Sequence, residues 1–356
     1  MTATASTGDK SARMPRAERS HEPESLQPAM DPGHGYSLRL ADGQGWHLVG
    51  TGKTRLFLEK LAAILDLRPG AGEDYSELVF TTSIADLDDQ HGASRLSRMM
   101  GVAGLPSGPW TRHTFGPLRI WSRDDRSDLI CELDTEQTRP DDTQAILAMW
   151  FVVSLMYRQA QSRGALPVHA ALLGKRRIGV MLGGSGGIGK STCCKRVPLP
   201  WHPLCDDETL IVRNEQGHYV AHPFPTWSQY LWTGSGPRWP TEDYLPVSAI
   251  CFLDRGTTDQ MAPIPQGAAA VQLYQSAAQV HTRIWPHVSG EETTYLKRQL
   301  FENACPIAKS VPVYRLQLSA GGAFWKELEK VLGHQDQEPA NPLGGLYQDC
   351  FRDYFF

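Results

Sequence analysis

The chain has no apolar run long enough to cross a bilayer. Its longest, Ala145 to Tyr157, holds about 13 residues, which as a helix reach roughly 20 Å against a hydrocarbon core of about 30 Å. A buried helix is expected there, not a membrane span. The N-terminal stretch also lacks the apolar segment of a secretory signal; it is rich in Ser, Pro, Glu and Arg, and residues 1–34 read as a disordered tail. Positive charge is in no excess: 35 Lys and Arg stand against 39 Asp and Glu, for a net charge of −4. That balance excludes the basic footprint of a nucleic-acid or anionic-membrane binder. Seven cysteines make no disulfide framework, because their number is odd, no C-x-x-C occurs, and Cys193 and Cys194 are adjacent. No zinc-ligand spacing and no H-E-x-x-H occurs. The thiols suit a reducing compartment, so a cytoplasmic protein without nucleic-acid or membrane partners is expected. Homo-oligomerisation is left open.

What the chain does have is a phosphate loop. Gly184-Ser185-Gly186-Gly187-Ile188-Gly189-Lys190-Ser191 meets G-x-x-x-x-G-K-[ST], with Thr192 following. Ile178 to Leu182 reads as the strand entering the loop and Lys190 to Arg196 as the helix leaving it. Glycines at 184, 186, 187 and 189 allow a tight wrap that aims backbone N–H groups at phosphate oxygens, and the helix N-terminus adds partial positive charge. Lys190 is expected on the β- and γ-phosphates and the Ser191 hydroxyl on Mg²⁺, which makes ATP and Mg²⁺ the expected cofactors. A second string, Gly50-Thr51-Gly52-Lys53-Thr54, lacks the leading glycine, since His47 stands there. It follows what reads as a hairpin arm and not a central parallel strand, so it is taken as a decoy.

Along the chain, Tyr36 to Val49 predicts a hairpin and Arg55 to Leu67 an amphipathic helix with Leu58, Leu61, Ile64 and Leu65 on one stripe. Strands are expected at 77–80, 118–121 and 128–133, so residues 35–140 form a smaller α+β domain without a catalytic constellation, a candidate for peptide recognition. Asp86, Asp88, Asp89, Asp124, Asp125 and Asp128 read as solvated turns. An α/β domain follows over 141–333. It opens with a helix capped at Asp141-Asp142-Thr143 and a strand over Leu166–Leu173, turns at 174–177, and enters the phosphate loop. Leu204 to Val212 brings Asp206 and Asp207 to a strand end, 16 and 17 residues after Lys190. The Trp-rich segment 226–244 reads as a long loop or lid, 248–256 as a core strand, 266–280 and 291–303 as helices, 313–318 as the last strand and 324–332 as the last helix. The aromatic tail 334–356 is expected to pack on its own protein.

The run from Pro167 to Val212, with Val168-His169-Ala170, the phosphate loop and Leu204-Cys205-Asp206-Asp207-Glu208, resembles the catalytic domain of HPr kinase/phosphorylase and related kinases that phosphorylate natural-product precursor peptides. In that family a His precedes the phosphate loop and an Asp pair follows it; here His169 lies 21 residues before Lys190. Tyr36 to Gly43, His222-Pro223-Phe224-Pro225 and Leu253-Asp254-Arg255-Gly256 also resemble the SynChlorMet-cassette ScmC family, over about 35–333. The resemblance implies a P-loop fold of HPr-kinase type and a peptide or small-protein substrate. Two departures stand out. The helix after the loop is cut by Pro198 and Pro200, and the Arg-Gly-Leu-Gly segment that carries a Mg²⁺-side Glu is missing. Glu208 and Glu242 are its candidate substitutes, and the loss argues against a phosphorylase back-reaction.

The expected activity is phosphoryl transfer from ATP·Mg²⁺ to a hydroxyl, a Ser of a peptide or small protein, with a ribosomally made precursor as one substrate class. Lys190 and the loop amides of Gly184 to Thr192 neutralise the phosphates, Ser191 and Asp207 hold Mg²⁺, and Asp206 accepts the proton, paired with and tuned by His169. Arg255, Arg283, Lys297 and Arg298 are candidates for an acidic peptide or the transferred phosphate. The alternatives are a nucleotide-binding regulatory or assembly protein and a plain NTPase.

Overall fold

The computed structural model describes residues 35–50, 52–70, 74–84, 110–123, 126–134 and 142–333. The readings of both chain ends and of Asp86, Asp88, Asp89, Asp124 and Asp125 lie outside these residues. A seven-stranded sheet holds β1 (Tyr36–Arg39), β2 (Gly45–Gly50), β3 (Arg68–Pro69), β4 (Ser76–Thr81), β5 (Thr111–Phe115), β6 (Leu118–Arg123) and β7 (Arg126–Leu133), in the order β3-β1-β2-β4-β7-β6-β5. The expected hairpin is β1–β2, with Leu38 opposite Trp46. The other edge of β2 pairs in parallel with β4, and β4 in parallel with β7. Helix α1 (Arg55–Ile64) covers one face, burying Leu58, Leu61 and Ile64 of the expected stripe while Leu56 stays exposed. Asp128 is no solvated turn: it is buried in β7, where it accepts from Glu77 N at 2.8 Å and pairs with Arg126 at 2.7 Å.

The second sheet has nine strands among the described residues. They are β8 (Leu166–Val168), β9 (Ala170–Lys175), β10 (Ile178–Gly183), β11 (His202–Cys205), β12 (Glu208–Arg213), β13 (Tyr219–Phe224), β14 (Leu245–Arg255), β15 (Gln260–Pro263) and β16 (Val313–Leu318). The long β14 joins both halves: its start pairs antiparallel with β13, its remainder parallel with β10 and β16. The strand expected over 166–173 is broken at His169. Its first part pairs with β12 and its second with β10 and β11, because one straight strand cannot follow both partners. Leu172, Leu173, Val180, Leu182 and Ile250 are fully buried in this sheet, each stabilising by about 1.5–3 kcal/mol.

Helix α2 (Thr143–Gln161) is apolar on more than one side because both sheets enclose it. Towards the first sheet, Gln159 accepts from Trp46 Nε1 at 2.6 Å and donates to Ser127 O at 2.6 Å. Towards the second, Tyr157 meets Phe224 at a ring separation of 4.9 Å. One apolar core therefore runs through both sheets. No described helix is long and apolar enough to cross a membrane.

The remaining helices are α3 (Lys190–Arg196), α4 (Trp227–Thr233), α5 (Gln266–Val280), α6 (Gly290–Ser310) and α7 (Trp325–Leu332). Helix α6 continues beyond the expected 303, through Pro306, because Ala304, Ile307 and Ala308 are buried and their packing outweighs the lost backbone bond. The segment 226–244 is no lid. It holds α4, buries Trp227 and Trp239, and straps the second sheet to the first: Trp239 N donates to Ile64 O at 2.9 Å and Thr241 Oγ1 to Leu65 O at 2.7 Å.

Candidate functional site

Strand β10 lies between β9 and β14, and Gly183 pairs with Phe252. The glycine-rich loop 184–191 therefore opens beside the parallel end of β14. Gly184 (φ 147°) and Gly189 (φ 125°) adopt backbone conformations that disfavour L side chains, turning the chain out of the strand and into α3. Ser185, Gly186, Gly187, Ser191 and Thr192 are exposed, and Ile188 packs on the core. Lys190 is buried, and its Nζ donates to Gly184 O at 3.0 Å and Ser185 O at 3.3 Å, so the ammonium sits in the curve of the loop. Burial lowers its pKa, opposed by the charges of Asp207 and Asp206. Beyond the loop, Arg255 Nη2 donates to Gly187 O at 2.8 Å.

Asp206 and Asp207 form the bend between β11 and β12, and their side chains part there. Asp206 is buried and accepts a bond from Thr226 Oγ1, just after β13. Asp207 is partly exposed and lies 2.9 Å from His169 Nε2. The expected pairing of His169 with Asp206 is thus replaced by His169–Asp207. The register explains it: Thr209 pairs with Val168 on antiparallel strands, which brings the start of β12 abreast of the break at His169. The other ring nitrogen, Nδ1, is 2.7 Å from Gln279 Oε1 of α5, and Ser276 bonds the His169 backbone on both sides, through its O at 3.3 Å and its Oγ at 3.1 Å.

Neither candidate for the missing Glu faces the loop. Glu208 is buried and accepts from Tyr157 Oη at 3.0 Å; burial, then Asp207, raises its pKa well above the usual range. Glu242 accepts from Arg39 N at 3.0 Å and pairs with Arg68 at 3.6 Å, on the first sheet. Among the described residues no three His, Cys, Asp or Glu converge as a metal cluster. Ser191 and a carboxylate of the Asp pair are hard oxygen donors of the kind Mg²⁺ takes, so they are the residues that would hold it.

The second glycine string is a strand–turn–helix after all, since β2 has a parallel neighbour. Yet a single residue separates Gly50, the end of β2, from the turn at Gly52–Thr54, and Thr54 Oγ1 is buried and bonded to Phe80 O at 3.0 Å. Thr226, Ser276 and Gln279 were absent from the sequence reading, because their place in the site depends on folding across 20 residues or more.

The family model of the SynChlorMet cassette protein ScmC matches residues 129–333, more than half of the chain, and the protein belongs to that family. No curated protein matches it.

Proposed function

We propose that the chain is an ATP- and Mg²⁺-dependent kinase of HPr-kinase type that transfers the γ-phosphate to a Ser hydroxyl of a peptide or small protein, a ribosomally made precursor being the favoured class. The observation that carries this reading is the Asp pair and His169 standing at the strand ends beside the phosphate loop. Lys190 and the loop amides neutralise phosphate charge. Mg²⁺, held by Ser191 and a carboxylate, supplies further neutralisation of the donor phosphates. The two carboxylates take roles opposite to those first expected: buried Asp206, fixed by Thr226, suits the metal side, and Asp207, partly exposed and bonded to His169, suits the base. Asp207 accepts the hydroxyl proton as the new O–P bond forms, and His169 holds the carboxylate in place. The leaving ADP carries away the electrons of the broken bond. A cytoplasmic setting belongs to the same reading, since ATP is the donor and the six described cysteines are free thiols.

Incubation with γ-labelled ATP and Ser-containing peptides tests it. Label is expected in peptide; label in free phosphate alone makes the chain an NTPase, and nucleotide binding without turnover makes it a regulatory or assembly protein.

A further inference from the structure

The rim of the Asp pair is ringed by contacts and by close neighbours along the chain. Asp206 is held by Thr226. The next residue, Trp227, stacks on Trp150 of α2 with centroids 6.4 Å apart and planes 14° apart. The guanidinium of Arg283 lies over the other contact partner in that stack, 4.6 Å from the Trp150 centroid. Arg283 stands four residues along the chain from Gln279, just past the end of α5; Gln279 bonds His169 at 2.7 Å, and His169 lies 2.9 Å from Asp207. The ring thus runs from one aspartate to the other, with a cation on it.

That cation is uncommitted. Arg283 is exposed and, among the described residues, forms no ion pair. The other basic candidates differ: Arg255 is spent on Gly187 O, Arg298 on Glu302 at 2.7 Å, and Lys297 rests on Trp285, off the ring. Stacking on an indole fixes the guanidinium plane but leaves its edge N–H groups free for two parallel bonds to a carboxylate. We infer that Arg283, seated on Trp150, is a specificity site for an acidic side chain of the acceptor peptide. The inference rests on the reading of the Asp pair as the acceptor side of a kinase. Arg283 is four residues along the chain from Gln279 and an extended peptide advances about 3.3 Å per residue, which puts the acid within a few residues of the acceptor Ser, two or three being the spacings tested.

The test uses the full chain and terminally blocked, fluorescently labelled peptides centred on Ser, with Asp or Asn two or three residues to either side. Binding is read by anisotropy and transfer by γ-labelled ATP in parallel. In at least one position the Asp peptide is expected to bind about tenfold tighter than its Asn twin. Arg283→Gln should abolish that preference and Arg283→Lys keep part of it, with the thermal midpoint of each variant at the wild-type value. Equal binding of each Asp and Asn pair, a preference that survives Arg283→Gln, or no peptide binding overturns the site. Transfer without an Asp preference overturns it while the kinase stands; an Arg283-dependent preference without transfer keeps the site and removes the kinase.

Discussion

At the residue scale, two adjacent carboxylates are made unequal by what each touches. Thr226 holds buried Asp206, whereas His169 holds partly exposed Asp207, and the histidine is fixed in turn by Gln279 and Ser276. Asp207→Asn keeps the size but not the basicity, so phosphoryl transfer should fall by about 10²–10⁴-fold with nucleotide affinity unchanged. Asp206→Asn should instead weaken Mg²⁺ binding, raising the Mg²⁺ concentration needed for half-maximal rate. Transfer rates measured across a Mg²⁺ titration separate the two; the reverse pattern would restore Asp206 as base. That an Asp pair follows the loop could be read from the chain. Which acid meets His169 could not, because alternation at the bend and the register of β8 on β12 decide it.

At the element scale, the strap between α4 and β14 depends on a histidine that must stay neutral. His222 of β13 is fully buried; Nε2 accepts from Ala41 N at 3.1 Å and Nδ1 donates to Thr241 O at 2.9 Å, tying the β1–β2 turn, the strap and the second sheet together. A protonated ring would point a second N–H at the Ala41 N–H. Burial accordingly lowers its pKa to about 4, and His281 is lowered to about 4 for the same reason. A depressed histidine pKa means that the unfolded chain takes up the proton first. Stability is therefore full above about 6.5 and falls as pH drops from there towards 4. Chemical denaturation between pH 7.5 and 4.5 should show this slope. His222→Leu should reduce it, while costing roughly 1–3 kcal/mol at pH 7.5 by leaving Ala41 N–H and Thr241 C=O unpaired. An unchanged slope would move the acid sensitivity elsewhere. The chain alone suggested a lid here, since buried and exposed tryptophans look alike in a string: Trp227 and Trp239 are enclosed and Trp232 is 85% exposed.

At the scale of the whole molecule, α2 belongs to both sheets, and its apolar surface is buried from both sides. Neither sheet can open without exposing it. Thermal unfolding followed by far-ultraviolet circular dichroism and by tryptophan fluorescence should give coincident single transitions. Two separated transitions would show that the sheets unfold independently. By itself the sequence determined what depends on neighbours along the chain: the glycine-rich loop with its flanking strand and helix, the α1 stripe, the β1–β2 hairpin, the buried 145–157 run and the presence of His169 and the Asp pair. These rest on backbone freedom at glycine, periodicity and local charge. Only the tertiary structure decided the rest: the break at His169, the exchange of its partner to Asp207, the strap, the parallel edge of β2, and the meeting of Thr226 with Asp206 and of Gln279 with His169. Those features depend on strand register and on helices packed from distant parts of the chain, which local pattern does not encode.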